Sequence, residues 1–373
     1  MDKRIILAVA GAGKTYHICH AIAPQKRNLI LAYTHENIHN IINELVDAFD
    51  KVPELTSVMT FDSFVYRYFV CPYEPTIAEH FGQNEFQSKG ITTIDPPTKT
   101  IKKGNRNIPN PKYKSKDQFN HYITSGNQYY CATISELVMY VKKGKDSLLK
   151  RAAERLNLFY DQIFIDEFQD FREYDYDLII GLSKMLNSIL LVGDYYQHSV
   201  SAINNSGKPF KNRNNDVSYA DFVAELKKQK FDIDENTLSK SRRCSKEVCA
   251  FIKEKLRINI ESEDINTGKV KWIAEDQIKA ILQNPAILKL VYNEAANYSF
   301  EAMNWSYSKG DTVDAACVIL TDKFEKLDTD EFSLAGISVQ TINKLYVAMT
   351  RSKGDLFLIK ASMFKKYKSA YSA

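Results

Sequence analysis

No apolar run in the 373 residues approaches the roughly 20 needed to cross a bilayer as a helix; residues 5–10, among the longest, make six. A membrane span is therefore excluded. The opening Met-Asp-Lys-Arg leads into that short run with no cleavage pattern behind it, so no export leader is expected. Cysteine is scarce. The six (Cys19, Cys71, Cys131, Cys244, Cys249, Cys317) include no CxxC pair, which sets aside a disulfide scaffold and predicts reduced thiols in a cytoplasmic protein. Net charge is small as well: Lys+Arg less Asp+Glu is 50 − 46 = +4. A polyanionic partner must then be argued from local clusters and not from net charge. Repeats of solenoid period are missing. Only two tryptophans occur, but 22 Tyr and 20 Phe make any aromatic beside a motif weak evidence of function.

What is present has the composition of a soluble globular chain, 44% hydrophobic and 26% charged, long enough for two or three domains. An apolar run at 4–10 ends in Gly11-Ala12-Gly13-Lys14-Thr15 and is followed by Tyr16, Ile18, Cys19 and Ile22 at helical spacing. That predicts strand, glycine loop and helix. A second strand is expected at 28–33, with Ile38, Ile41, Ile42 and Leu45 on a helix behind it. Further buried strands are expected at Gln162–Ile165, 188–192, 269–273, 286–291, 316–320 and Leu356–Ile359, with helices between them. Short apolar strands alternating with helices give an α/β fold with parallel sheets. Two segments interrupt the pattern. Residues 96–117 carry four prolines and many lysines, incompatible with a regular helix or a central strand, and 204–215 is an Asn/Ser/Gly loop or linker.

Phosphate chemistry explains the glycine loop. Glycines let main-chain N–H groups turn onto phosphate oxygens, and the helix start adds its dipole. Ala10, Gly11, Ala12, Gly13, Lys14 and Thr15 are the candidate nucleotide contacts, with Ala8 where the leading glycine of a phosphate loop usually stands. Lys14 is placed to reach the β- and γ-phosphates and the Thr15 hydroxyl to ligate Mg²⁺. The strand Gln162–Ile165 then delivers Asp166 and Glu167 at its C-terminal end, where ligands collect in open α/β sheets. Asp166 is the second metal ligand. Glu167 would orient and deprotonate an attacking water.

In order along the chain, these residues resemble superfamily 1 helicases of the UvrD/Rep/PcrA type. Motifs I, II and III match Ala10 to Thr15, Asp166-Glu167-Phe168-Gln169-Asp170 and Gly193-Asp194-Tyr195-Tyr196-Gln197. Ala32-Tyr33-Thr34-His35 is similar to motif Ia, and Thr60-Phe61-Asp62-Ser63-Phe64 to the motif after it. Leu238 to Arg243, Ser308-Lys309-Gly310 and Leu345-Tyr346-Val347-Ala348-Met349-Thr350-Arg351 are similar to motifs IV, V and VI. The resemblance implies two RecA-like P-loop NTPase domains with parallel sheets and a small insertion in the first: 1–70 and 151–235 for the first domain, 71–150 for a reduced accessory insertion, 236–373 for the second. It implies ATP and Mg²⁺ as cofactors, Gln197 as γ-phosphate sensor, Gly310 near the nucleotide, and Arg243 and Arg351 as arginine fingers from the second domain; either arginine could equally be a surface residue. It also implies ATP-driven movement along single-stranded DNA, 3′-to-5′, with RNA not excluded and no membrane partner.

Several positions depart from the family pattern. No Gln-bearing helix precedes the loop, so the usual adenine contact is missing. Thr312 stands where the family usually has a ribose-binding Glu, and Asp62 replaces a His. Candidate nucleic-acid contacts are Thr34, His35, Thr60, Phe61, Trp305, Tyr307 and Lys309, although Phe61, like Phe64, has the spacing of a core residue. The lysines of 96–117 and Lys142-Lys143-Gly144-Lys145 offer either phosphate contacts or a solvated loop. From Arg243 to Lys309 is only 309 − 243 = 66 residues, too few for the family's second accessory subdomain. Two readings follow: an ATP-dependent DNA helicase or translocase, or a nucleotide-gated ATPase subunit regulating a nuclease in repair or phage defence.

Overall fold

The computed structural model describes residues 2–84, 86–104, 106–143, 146–198, 207–213 and 215–371. Two compact units result. One comprises Met1–Ile5, Thr15–Val192 and Ser201–Ile233; the other comprises Ile6–Lys14, Gly193–Val200 and Asp234–Ala373.

The first sheet is built from β1 (Asp2–Leu7), β2 (Asn28–Ala32), β3 (Thr56–Thr60), β4 (Gln162–Ile165), β5 (Ser188–Gly193) and β6 (Asp232–Asp234), in the spatial order β6-β1-β5-β4-β2-β3. Strand β4 runs parallel to β5, with Ile163 opposite Ile189, and parallel to β2, with Gln162 opposite Asn28; β2 is parallel to β3. Main-chain bonds from Asp2 N–H to Asn187 and from Ala8 N–H to Gly193 give β1 the same direction as β5. Parallel neighbours need crossovers, and helices supply them. Helix α1 (Lys14–Ala21) follows β1, α2 (His35–Phe49) follows β2, and α3 (Phe61–Val65) follows β3. With both faces covered, a central strand can be apolar without alternation: Leu29, Ile30, Leu31 and Ala32 are all fully buried. One edge of the sheet therefore gathers the C-terminal ends of β1 to β5, and with them every motif expected on this part of the chain.

Within residues 71–150 the first unit gathers a small aromatic cluster. Residues Ile91–Thr92 pair in parallel with Tyr129–Tyr130, and α4 (Cys131–Tyr140) closes it. Its centre is Phe119, with ring centroids 4.7 Å from Phe86, 5.4 Å from Phe81 and 6.4 Å from Tyr129. The Pro/Lys segment makes an exposed antiparallel hairpin, Thr100–Lys103 against Arg106–Pro109. Gly144 and Lys145 lie outside the described residues, as do 204–206 and Asn214 of the Asn-rich loop. After α4, α5 (Leu148–Phe159) leads into β4, and α6 (Glu173–Leu182) links β4 to β5.

The second sheet is parallel throughout: β7 (Val270–Trp272), β8 (Leu288–Val291), β9 (Ala302–Asn304), β10 (Ala316–Ile319) and β11 (Leu356–Ile359), ordered β7-β11-β10-β8-β9. Ser245 caps α7 (Lys246–Leu256) and Ser338 caps α8 (Val339–Met349), each side-chain oxygen accepting a main-chain N–H from the first turn. The fold class is thus the expected one, α/β with parallel sheets of RecA-like type. Two details differ from the sequence reading. Strand β1 stops at Leu7, because residues 8–10 already turn into the glycine loop, and β3, β6 and β9 carry no apolar run to announce them. Among the described residues no helix is long and apolar enough to cross a membrane, and all six cysteines are free.

Gly268 and Gly354 cross closely where β7 and β11 begin. A Cβ on Gly268 would lie 1.8 Å from the Gly354 carbonyl oxygen, a contact that only backbone movement relieves. Gly268→Ala should therefore destabilise the chain by at least about 2 kcal/mol in urea unfolding; a variant as stable as wild type would show that this crossing is loose.

Candidate functional site

The glycine loop is shaped by two residues with positive φ, Gly11 at +71° and Gly13 at +83°. Glycine is needed at position 11 twice over. An L side chain rarely adopts that φ, and a Cβ there would lie 2.6 Å from Arg243 Cβ and 2.8 Å from Ser241 Oγ. Successive main-chain groups of the loop are held within its own unit. Ala8 N–H donates to Gly193 O (2.8 Å), Val9 N–H to Leu238 O (3.0 Å), and Gly11 O accepts from Arg242 N–H (2.9 Å). Ala10 N–H donates to the Tyr346 hydroxyl at 2.9 Å, and that hydroxyl donates in turn to Asp194 Oδ2 at 3.3 Å. Beyond Gly13 the chain enters α1, whose first N–H groups have no acceptor inside the helix and point out of its N-terminus. Lys14, the first helical residue, is only 8% exposed.

Thr15, next on the helix, donates its hydroxyl to Asp166 Oδ2 at 2.8 Å. Asp166 is 1% exposed, and its other oxygen accepts the Glu167 main-chain N–H at 2.8 Å. Glu167 adopts a left-handed backbone, φ +53°, which turns its side chain away from the line of β4; its carboxylate accepts from the Gln169 amide. A hydroxyl and a carboxylate oxygen side by side are the hard donors that Mg²⁺ takes from protein when phosphates and water supply the rest. The donor set fits that ion.

Gln197 ends the turn after β5. It is buried, and Asp194 fixes the turn by accepting from Tyr196 N–H at 3.0 Å. Both candidate arginines lie on main-chain carbonyls. Arg243 Nη1 donates to Thr350 O at 3.1 Å. Arg351, fully buried, donates from Nε to Val347 O (2.8 Å) and from Nη1 to Ser308 O (2.9 Å). The second of these bonds ties Arg351 to the turn that carries Lys309 and Gly310, the latter with φ +97°.

The residues expected at a nucleic-acid surface separate into two groups. Thr34 caps α2, and both it and His35 are exposed; Tyr307 is 75% exposed and Lys309 half-buried. Thr60 caps α3 and is buried. Phe61 and Trp305 lie inside instead. Phe61 packs on Phe171 (4.8 Å between centroids), and Trp305 is fully buried with its indole N–H on Leu290 O at 3.1 Å, so neither presents a ring face to solvent.

Near His35 lies an acidic pair, of which sequence reasoning missed Asp175. Burial pushes the Asp62 carboxyl up, opposed by a hydrogen bond with Cys131 and by His35. Asp175, on α6, is pushed up to about 7, chiefly by burial and further by the charges of Asp62 and Glu173. Only Asp62 carried a signal, as an acid where the resembling family has a base.

A glycine loop between a buried strand and a helix, with a helix threonine on the carboxylate that ends a parallel strand, defines a RecA-like P-loop fold. Residues 2–202, more than half of the chain, match the family described as AAA domain, and the chain belongs to that family. Comparison with curated proteins gives no match. Among solved structures, the chain is similar to the PRRSV helicase (14% identity, TM-score 0.44, 99% of this chain and 54% of that one). It is also similar to the Arterivirus nonstructural protein 10 helicase (14%, 0.45, 96% and 59%) and to the Arterivirus enzyme in complex with DNA (15%, 0.43, 96% and 61%). The chain spans little more than half the length of those helicases.

Asp175 yields a signed pH prediction. Its folded-state pKa of about 7 lies above the unfolded value, about 3.9. Its contribution to stability is therefore complete below about pH 4 and is lost as pH rises through about 7. Asp175→Asn is close to isosteric and cannot ionise, so its melting temperature should match wild type near pH 4 and exceed it by a few degrees at pH 8. Parallel curves in differential scanning fluorimetry would contradict the assignment.

Proposed function

We propose that the chain is an ATP-dependent DNA helicase or single-stranded DNA translocase of superfamily 1 type, moving 3′-to-5′. The observation that carries this reading is the Thr15–Asp166 hydrogen bond, 2.8 Å long, at the end of a glycine loop. It joins the two protein oxygens that nucleotide-bound Mg²⁺ requires. The AAA-domain match supports an NTP-hydrolysing enzyme, and the ordered motif series supports the helicase class.

In this proposal, main-chain N–H groups of Ala10 to Thr15 and the Lys14 ammonium bind the phosphates, and Gly310 lies near the nucleotide. Mg²⁺, when bound, neutralises charge on the β- and γ-phosphate oxygens. Thr15 and Asp166 would hold it. Glu167 accepts a proton from the attacking water while Gln169 orients its carboxylate, and Gln197 senses the γ-phosphate. Arg243 and Arg351 counter the charge that develops during transfer. Single-stranded DNA is bound by Thr34, His35 and Lys309 through polar and charged contacts and by Tyr307 through stacking. Thr60, Phe61 and Trp305 are buried, each within its own unit, and are left out of the proposed contacts.

One observation favours a second reading, a nucleotide-gated ATPase subunit that regulates a nuclease in repair or phage defence without unwinding. The residues between Arg243 and Lys309 are used by α7, β7, the helix Ile278–Gln283, β8 and β9, so no duplex-gripping subdomain is inserted there.

An ATPase assay with and without single-stranded DNA tests the main reading. Hydrolysis should be stimulated by DNA and should fall at least about 100-fold in Lys14→Ala; no DNA-stimulated hydrolysis by wild type would end the motor reading. Tailed duplexes then separate unwinding from translocation. Arg351→Lys keeps the charge but loses the planar fork. Turnover should drop at least about tenfold while single-stranded DNA binding, read by fluorescence anisotropy, persists. Normal turnover would remove Arg351 from the reaction.

A further inference from the structure

We propose that Tyr346 is a positioning residue for the phosphate loop: its hydroxyl fixes the Val9–Ala10 peptide by bridging Ala10 N–H to the Asp194 carboxylate, so that nucleotide affinity depends on a side chain of α8. The proposal rests on reading residues 8–15 as a nucleotide site.

The need for such a residue follows from the glycines. A loop with positive φ at Gly11 and Gly13 gains its shape from conformational freedom, and the same freedom allows its peptides to flip. A flipped peptide would turn a carbonyl oxygen toward a phosphate. Something outside the loop must select one orientation.

Tyr346 is suited to do so because the direction of each hydrogen bond is forced. Ala10 N–H can only donate and an ionised Asp194 can only accept, so the phenol accepts from one (2.9 Å) and donates to the other (3.3 Å). All three residues are fully buried, where such a chain of bonds is strengthened and a broken link leaves an unpaired group. Burial and the charge of Asp194 hold the phenol pKa well above its ordinary value, so the proton stays on the oxygen. The Gly11–Ala12 peptide is held from another stretch of the same unit, since Gly11 O accepts from Arg242 N–H at 2.9 Å. One turn beyond Tyr346, Thr350 donates its hydroxyl to Tyr346 O (2.9 Å) and its carbonyl receives Arg243 (3.1 Å). A shift at the end of α8 would therefore reach the loop and Arg243 together.

Tyr346→Phe removes one oxygen and keeps the ring. The test is Mg²⁺-dependent binding of a fluorescent ADP analogue (mant-ADP), with ATP hydrolysis measured alongside. For the variant, the dissociation constant and the KM for ATP should both rise about tenfold, with kcat changed less than about threefold. Asp194→Asn retains an oxygen that can accept from the phenol and should weaken binding less than Tyr346→Phe. A residue that only stabilised the fold would lower the melting temperature and leave mant-ADP affinity unchanged. Equal affinity in wild type and Tyr346→Phe overturns the proposal while leaving the nucleotide site standing; failure of wild type to bind any mant-ADP overturns both.

Discussion

A carboxylate taken out of water must find donors, or it does not stay ionised. Asp166 sits at the end of an apolar strand with almost no surface of its own, and its two oxygens accept from the Thr15 hydroxyl and the Glu167 N–H, each at 2.8 Å. The first of these ties α1 to the end of β4, although another strand lies between β1 and β4 in the sheet. The position of the acidic pair beside Thr15 follows from that tie and from a sheet whose central strands all run in one direction. Chemistry collects at one edge because a parallel sheet has only one C-terminal edge.

Much of this was legible in the sequence, and the parts that were not share a cause. Gln162–Ile165 and Leu356–Ile359 are strands with the bounds that their apolar runs suggest, since an interior parallel strand is buried on both faces. The strands with no such run, Thr56–Thr60, Asp232–Asp234 and Ala302–Asn304, are all at sheet edges, where one face or the hydrogen-bonding side is free and polar residues are tolerated. The candidate site divides in the same way. Gly11-Ala12-Gly13-Lys14-Thr15 and Asp166-Glu167 are read from spacing alone because the chemistry needs those residues adjacent. Burial of Phe61 and Trp305 is decided by partners distant in sequence, Phe171 and Leu290, and no local pattern reports it. Tyr346 stands in a helix so apolar that its hydroxyl reads as incidental, yet that hydroxyl is what the loop meets.

The end of α8 is where the second unit concentrates its polar interior. Tyr346, Thr350 and Arg351 are all buried, and each is matched to a main-chain group or a carboxylate. Buried polar networks of this kind specify one arrangement because every alternative leaves a group unpaired. In a chain with short strands and many loops, that specificity places the glycine loop, Arg243 and the turn at Ser308 in one consistent geometry.

The bond between Ala10 and Tyr346 spans 336 residues. On a ribosome that adds roughly 5–20 residues each second, the loop would emerge about 17 s to more than a minute before its anchor exists. During that interval the first strands can assemble, but the glycine loop has no partner to fix its peptides. The chain thus makes its most sequence-specific element first and gives it a defined shape last, so a truncated product of translation carries the motif without the site.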